Sequence, residues 1–267
     1  MSVRIGPAGI GGSRVPLGTY YAALLLLLYL PLAVLLLFSL SSGGGLAFPI
    51  GPLSFASYAS VLQSDALLAS ARNSLEVAVG SSAAATVLGT MVAILLLRYR
   101  FPGQRLLVAL AVLPLIVPFV VLGVALLILF RALGLPLSLW TVGTAHTVVA
   151  IPFVLLIVAA RLNGVDRNLE DAAMDLGASY PVTLARVVMP MIAPALVSAW
   201  LTAFTVSFDE FALALFLAGP NPTFPVYLYS QLRFSSRFPV LIAMAVLLMV
   251  LTLVLVLVAE RVRRLRA

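Results

Sequence analysis

Six separated stretches of the chain, residues 17–40, 73–97, 106–130, 140–160, 193–217 and 240–259, are long, apolar and almost free of charge. A helix needs about 20 such residues to cross a bilayer, because every backbone N–H and C=O must be satisfied within the segment where no water is available. The pattern therefore predicts an all-α integral membrane protein with six transmembrane helices. Hydrophobic residues make up 63% of the 267 and charged residues only 9%, and the mean hydropathy of +1.18 lies outside the range of soluble domains. The intervening segments 41–72, 161–192 and 218–239 are too short to bury a second core. Residues 1–267 are thus expected to form one transmembrane domain. The first apolar stretch follows Arg4 and Arg14, but it exceeds the apolar region of about 7–15 residues in a signal peptide and reads as a retained span.

All sixteen basic residues are arginine, and their placement sets an expected orientation. Short loops rich in Arg stay on the cytoplasmic side. With the N-terminus inside, Arg4, Arg14, Arg98, Arg100, Arg105, Arg161, Arg167, Arg186, Arg261, Arg263, Arg264 and Arg266 are cytoplasmic, and only Arg72, Arg131, Arg233 and Arg237 fall outside. This arrangement predicts six spans with both the N- and C-termini cytoplasmic. The net charge of +7 is then mainly topological, and the arginine cluster after the last stretch is expected to meet anionic lipid headgroups instead of nucleic acid.

The missing residue types limit the chemistry. There is no lysine, so a GxxxxGK[ST] phosphate loop is excluded and any ATP hydrolysis belongs to a partner. There is no cysteine and a single histidine, which excludes disulfides, thiolate chemistry and Cys- or multi-His metal sites. No cofactor or metal is expected on this chain.

Four of the nine acidic residues, Asp166, Glu170, Asp171 and Asp175, lie in the segment 161–192. Asp166 or Asn168 can cap a helix start, Glu170 and Asp171 suit the positive end of its dipole, and Gly177 can stop it. Leu169, Ala172, Ala173 and Leu176 follow i, i+3, i+4, i+7 and form a narrow apolar face whose alanines allow close approach. Asp166, Glu170 and Asp175 lie mostly off that face. A second helix starting near Ser179 and Pro181 would climb through Val187, Met189 and Pro190 into the fifth span. A solvated loop with an amphipathic helix lying on the headgroups is the bland alternative.

The run Asp171-Ala172-Ala173, Gly177, Val187-x-Met189-Pro190 resembles the motif of the permeases of binding-protein-dependent ABC importers: Glu-Ala-Ala, three residues, Gly, nine residues, Ile-x-Leu-Pro. The spacing matches throughout, with Asp for Glu and apolar equivalents for Ile and Leu. The resemblance implies a type I importer permease in the bacterial inner membrane. Leu169, Glu170, Asp171, Ala172, Ala173, Leu176 and Gly177 would then be the coupling helix seated on a separate ABC ATPase, which alone uses ATP and Mg²⁺. The implied partners also include a second, homologous permease, forming a heterodimer, and an extracytoplasmic solute-binding protein.

In the fifth stretch, Ser198, Thr202, Thr205 and Asp209 recur at i, i+4, i+7, i+11 and share one side of a continuous helix. An acid inside a span is costly and usually faces a bundle interior or a water-filled path. Ser198, Thr202, Thr205, Asp209 and Glu210 are therefore the candidate substrate-path residues, with the two acids leading, and a helix entering near Pro194 would carry Asp209 about 22 Å across the bilayer. The hydroxyls can equally bond their own i−4 carbonyls or neighbouring helices. The run Ser207-Phe208-Asp209-Glu210-Phe211, then Ala218-Gly219-Pro220 and Pro225-x-Tyr227-x-Tyr229-Ser230, is similar to the spermidine/putrescine branch of these permeases. That likeness implies a small cation such as a polyamine as solute; related permeases carry ferric iron and other small solutes.

His146, mid-span, reads as a hydrogen-bonded packing residue. Arg72 and Glu76 are spaced for a local ion pair, and Pro114 and Pro118 should bend the third span. Trp140, Tyr20 and Tyr21 read as interfacial anchors. Two other functional classes share these features. A membrane-embedded enzyme would use Asp209, Glu210 and His146 as acid–base groups, and an ion-driven secondary transporter would use the same acids but usually shows repeated halves and more spans.

Overall fold

The computed structural model describes residues 17–41 and 51–265; Arg4, Arg14 and Arg266, which enter the orientation argument, lie outside them. Among the described residues the named elements are all helical: α1 (Leu17–Ser39), α2 (Ala56–Leu62), α3 (Asp65–Arg98), α4 (Gln104–Ile116), α5 (Phe119–Ala132), α6 (Leu139–Asn163), α7 (Arg167–Asp175), α8 (Tyr180–Thr183), a π turn (Leu184–Val188), α9 (Met189–Phe208), α10 (Ala212–Leu217), α11 (Phe224–Gln231), a 3₁₀ turn (Ser235–Arg237) and α12 (Phe238–Leu265). Five helical segments among the described residues are long and apolar enough to cross a membrane, or six if the bent pair α4–α5 counts as one span.

The centre of the molecule is the packing of α3 on α6 and α9. Hydrocarbon tails are as apolar as leucine, so helices in a bilayer associate through close van der Waals contact, and small residues permit it. On α3 the buried seam is Ala78, Ser82, Ala85, Gly89 and Ala93, a helical repeat of small side chains. Gly89 is required there: a Cβ at this position would lie 2.7 Å from Val154 Cγ1 of α6. Val154, Val158, Leu162, Ile192, Ala199 and Ala203 complete this core. A second core joins α3, α9 and α12 through Leu67, Phe204, Phe208 and Met244. Helix α1 is peripheral, packs on α12, and leaves Leu26, Leu27 and Tyr29 more than half exposed to the surroundings, as suits a lipid-facing helix.

Two expected spans change shape. The third, 106–130, is broken between α4 and α5, whose axes differ by 112°. Pro118 causes the break: it has no N–H for the carbonyl of Pro114, and its ring drives the preceding residue out of the α region. Val117 is accordingly extended, at φ −79° and ψ 127°. Pro114 itself is accommodated inside α4.

The fifth, 193–217, is replaced by a helical segment that starts earlier and ends sooner, Tyr180–Phe208. It passes through the π turn immediately before Pro190, whose missing N–H cannot bond Arg186. Asp209 and Glu210 then sit in a break before the short α10, so the expectation of a continuous helix through both acids is corrected. The cause is local: the Glu210 carboxylate accepts hydrogen bonds from the N–H groups of Leu213 (2.9 Å) and Ala214 (3.2 Å) and starts a new helix.

Candidate functional site: the α7 segment and the α9–α10 break

The expected short helix in 161–192 is α7. Asp166 caps it, accepting a hydrogen bond from Asn168 N at 3.0 Å. At the other end Gly177 adopts φ +90°, donating to Met174 O at 2.9 Å while Ala178 N donates to Ala173 O at 3.1 Å. This is a Schellman closure, which needs a residue without Cβ strain in the left-handed region. Both sequence signals thus act as expected.

The side chains of α7 are distributed opposite to those of an ordinary surface helix. Leu176 is 90% exposed and Leu169 45%; Ala172 and Asp171 are exposed and Ala173 half-buried. Glu170 is the buried residue of the helix. Its carboxylate lies 2.6 Å from the Arg98 guanidinium, both side chains being less than 10% exposed. Of the seven residues expected to form one contact surface, six stay on or near the outer side. Glu170 turns inward to the end of α3.

Two further contacts join α7 and α8 to the same end of α3. The Arg167 guanidinium donates to Leu97 O, and the rings of Tyr99 and Tyr180 meet edge-on with centroids 5.9 Å apart. Arg98 had been legible only as a topological arginine; no periodicity links residue 98 to residue 170.

In α9 the hydroxyls of Ser198, Thr202 and Thr205 donate to the carbonyls of Pro194, Ser198 and Leu201 at 2.9–3.0 Å. This is i−4 back-bonding, which leaves their lone pairs free to accept and is compatible with a place on a solute path. All three are half-buried, and Asp209 at the end of the stripe is exposed. Glu210, its neighbour, is 7% exposed and points the other way.

Glu210 belongs to a buried polar cluster. His146 Nε2 of α6 lies 3.1 Å from its carboxylate, His146 Nδ1 lies 2.8 Å from Ser207 Oγ, and Ser81 Oγ of α3 donates to Ser207 Oγ at 2.8 Å. Ser81, Ser207, His146 and Glu210 thus form one buried polar line from α3 through α9 and α6 to the break. The packing role expected of His146 is what the structure shows. His146 Nε2 and the N–H groups of Leu213 and Ala214 occupy Glu210, so the two acids expected to act together are divided, Asp209 outward and Glu210 inward. Ser81 and Ser207 escaped sequence reading because isolated serines in a span carry no periodic signal.

A cavity of about 420 Å³ between α3 and α6 is lined by Glu76, Gly80, Ser81, Trp140, Gly143 and Thr147 among others. Its wall therefore includes a member of the polar cluster. Glu76 at its edge pairs with Arg72 at 2.6 Å, both exposed, as their spacing had suggested.

The family model described as "Binding-protein-dependent transport system inner membrane component" matches residues 85–266. The spermidine/putrescine transport system permease protein PotC of Escherichia coli (strain K12) is 33% identical over 223 residues, 82% of this chain and 83% of that protein. The putrescine transport system permease protein PotI of the same organism is 34% identical over 230 residues, 83% of this chain and 81% of that protein. Among solved structures, a bacterial ABC transporter involved in import of the acidic polysaccharide alginate shares the fold, with a TM-score of 0.72 at 16% identity, covering 93% of each chain. An α-helical bundle with a Schellman-closed polar helix between two spans, matched over most of its length by these permeases, belongs to the family of binding-protein-dependent transport system inner membrane components.

Proposed function

We propose that this chain forms half of the solute pathway of an ATP-driven importer and is driven through α7 by a separate cytoplasmic ABC ATPase. The observation that carries the reading is the reversed burial of α7: Leu176, 90% exposed, stands outward while Glu170 is withdrawn. A large apolar residue held out on a capped, rigid helix fits a surface completed by a partner. The other half of the pathway is a second, homologous permease, and a solute-binding protein delivers the cargo from the extracytoplasmic side of a bacterial inner membrane. ATP and Mg²⁺ belong to the ATPase.

The solute is a small organic cation of the polyamine class. PotC and PotI, by name polyamine permeases, support this at 33% and 34% identity, and an exposed carboxylate at Asp209, beside the α9 hydroxyl stripe, is suited to attract a cation.

The test is co-expression with the neighbouring ATPase, permease and binding-protein genes, followed by uptake into proteoliposomes. Leu176→Arg should abolish co-purification of the ATPase while this chain still accumulates in the membrane. Retained ATPase binding and ATP-driven uptake would remove α7 from the interface.

A further inference from the structure

Resting on the reading of α7 as the ATPase contact, we propose that Arg98 and Glu170 are positioning residues that fasten α7 to the end of α3, so that displacement of α7 is delivered to the α3–α6–α9 bundle. The attachment of α7 along the chain is weak in the directional sense. It is joined to α6 through Gly164 and to α8 through Gly177, and the latter holds φ +90°. A helix with a glycine beyond each end can tilt unless something restrains its side.

That restraint is the ion pair. The Arg98 and Glu170 side chains are 8% and 7% exposed, with 2.6 Å between charged atoms, and the same guanidinium reaches Leu162 O at the end of α6 at 3.5 Å. One side chain thus touches the ends of two spans and the inner face of α7. Burying two charges is costly, and an apolar pair of equal volume would usually stabilise as well. What an ion pair adds is a tether at a fixed place: two opposite charges buried away from water cannot separate without leaving each unpaired, whereas the neighbouring apolar contact of buried Val165 tolerates sliding. Arg167 on Leu97 O and Tyr99 against Tyr180 flank the pair and make the junction broad.

The route onward is continuous. Residues 98 and 81 belong to one unbroken helix, so Ser81 lies about 25 Å along α3 from the ion pair. Ser81 bonds Ser207, which is two residues from Asp209. A rigid rod therefore runs from the α7 junction to the break that presents the candidate cation-facing carboxylate.

The experiment uses the assembled transporter in proteoliposomes and reads solute imported per ATP hydrolysed, a ratio that simple loss of folded protein does not move. Glu170→Gln and Arg98→Gln should each keep the ATPase bound and hydrolysing while the ratio falls about tenfold, within the usual span of coupling energies. The exchanged double variant Arg98→Glu with Glu170→Arg should recover part of it. A wild-type ratio in both single variants overturns the proposal. Leu176→Arg, run alongside, loses the ATPase if α7 is the contact; retention there sinks the underlying reading and not the link.

A second measurement stands if the exchanged variant fails to accumulate. The chain has no cysteine, so spin labels at Asp175→Cys and Met91→Cys report the α7–α3 distance in the assembled transporter. A narrow distribution that broadens in Glu170→Gln is expected, and an unchanged one overturns the proposal.

Discussion

The His146 imidazole and the Glu210 carboxylate, one from α6 and one from the break after α9, lie 3.1 Å apart with side chains 1% and 4% exposed. Glu210 also accepts the N–H of Leu213 and Ala214. One buried acid therefore both starts α10 and ties it to α6. Its location explains why α9 ends where it does and why Asp209 alone faces outward.

Removing the imidazole should destabilise this corner. His146→Ala leaves a buried carboxylate short of a partner, a cost of about 1–3 kcal/mol, read as a lowered unfolding temperature in detergent. Glu210→Ala removes both the pair and the cap of α10 and should cost more than His146→Ala. Equal stability of both variants and the parent would show that the cluster contributes nothing.

Asp209 is the exposed acid of the two. Asp209→Asn should lower uptake of a polyamine by about tenfold, the scale of one lost charge interaction of about 1.4 kcal/mol, while assembly with the ATPase persists. Unchanged uptake would take Asp209 out of the pathway.

Gly177 closes α7 in the left-handed region, where nothing approaches the position of a Cβ within 4 Å. Gly177→Val is therefore opposed by backbone strain and not by a clash, at about 1–2 kcal/mol. Faster amide exchange at positions 177 and 178, whose N–H groups make the closure, should follow; unaltered exchange would mean the turn tolerates the substitution.

Gly89 presents the opposite case. A Cβ there would meet Val154 Cγ1 at 2.7 Å and Ile151 O at 3.1 Å, so Gly89→Leu must push α3 from α6. Thermal stability should fall by about 1–3 kcal/mol, as overpacking does, and Val154→Ala should recover part of the loss. A neutral Gly89→Leu would show that the seam is looser than its geometry.

The helical membrane class, the region of each span and the cap and stop of α7 were legible because they rest on local rules: apolar length, capping oxygens, a glycine at a helix end. Pro118 was legible as a bend for the same reason, since its missing N–H acts within one turn. The continuous fifth span was misjudged because hydropathy does not register which acid folds back on the N–H groups ahead of it. Asp209 and Glu210 are adjacent and chemically alike; only the presence of His146 on α6 and the free N–H groups of α10 distinguishes them.

By itself, then, the amino-acid order determined that this chain lives in a bilayer, that it has no lysine from which to build a phosphate loop, and that a polar helix interrupts its spans with the spacing of an importer permease. Tertiary structure decided the directions. It turned Glu170 inward onto Arg98 and left Leu176 outward, and it divided Asp209 from Glu210. The physical reason is that burying a charge is favourable only when a distant part of the chain supplies the partner, and the distance between those parts in sequence carries no periodic trace of their meeting in space.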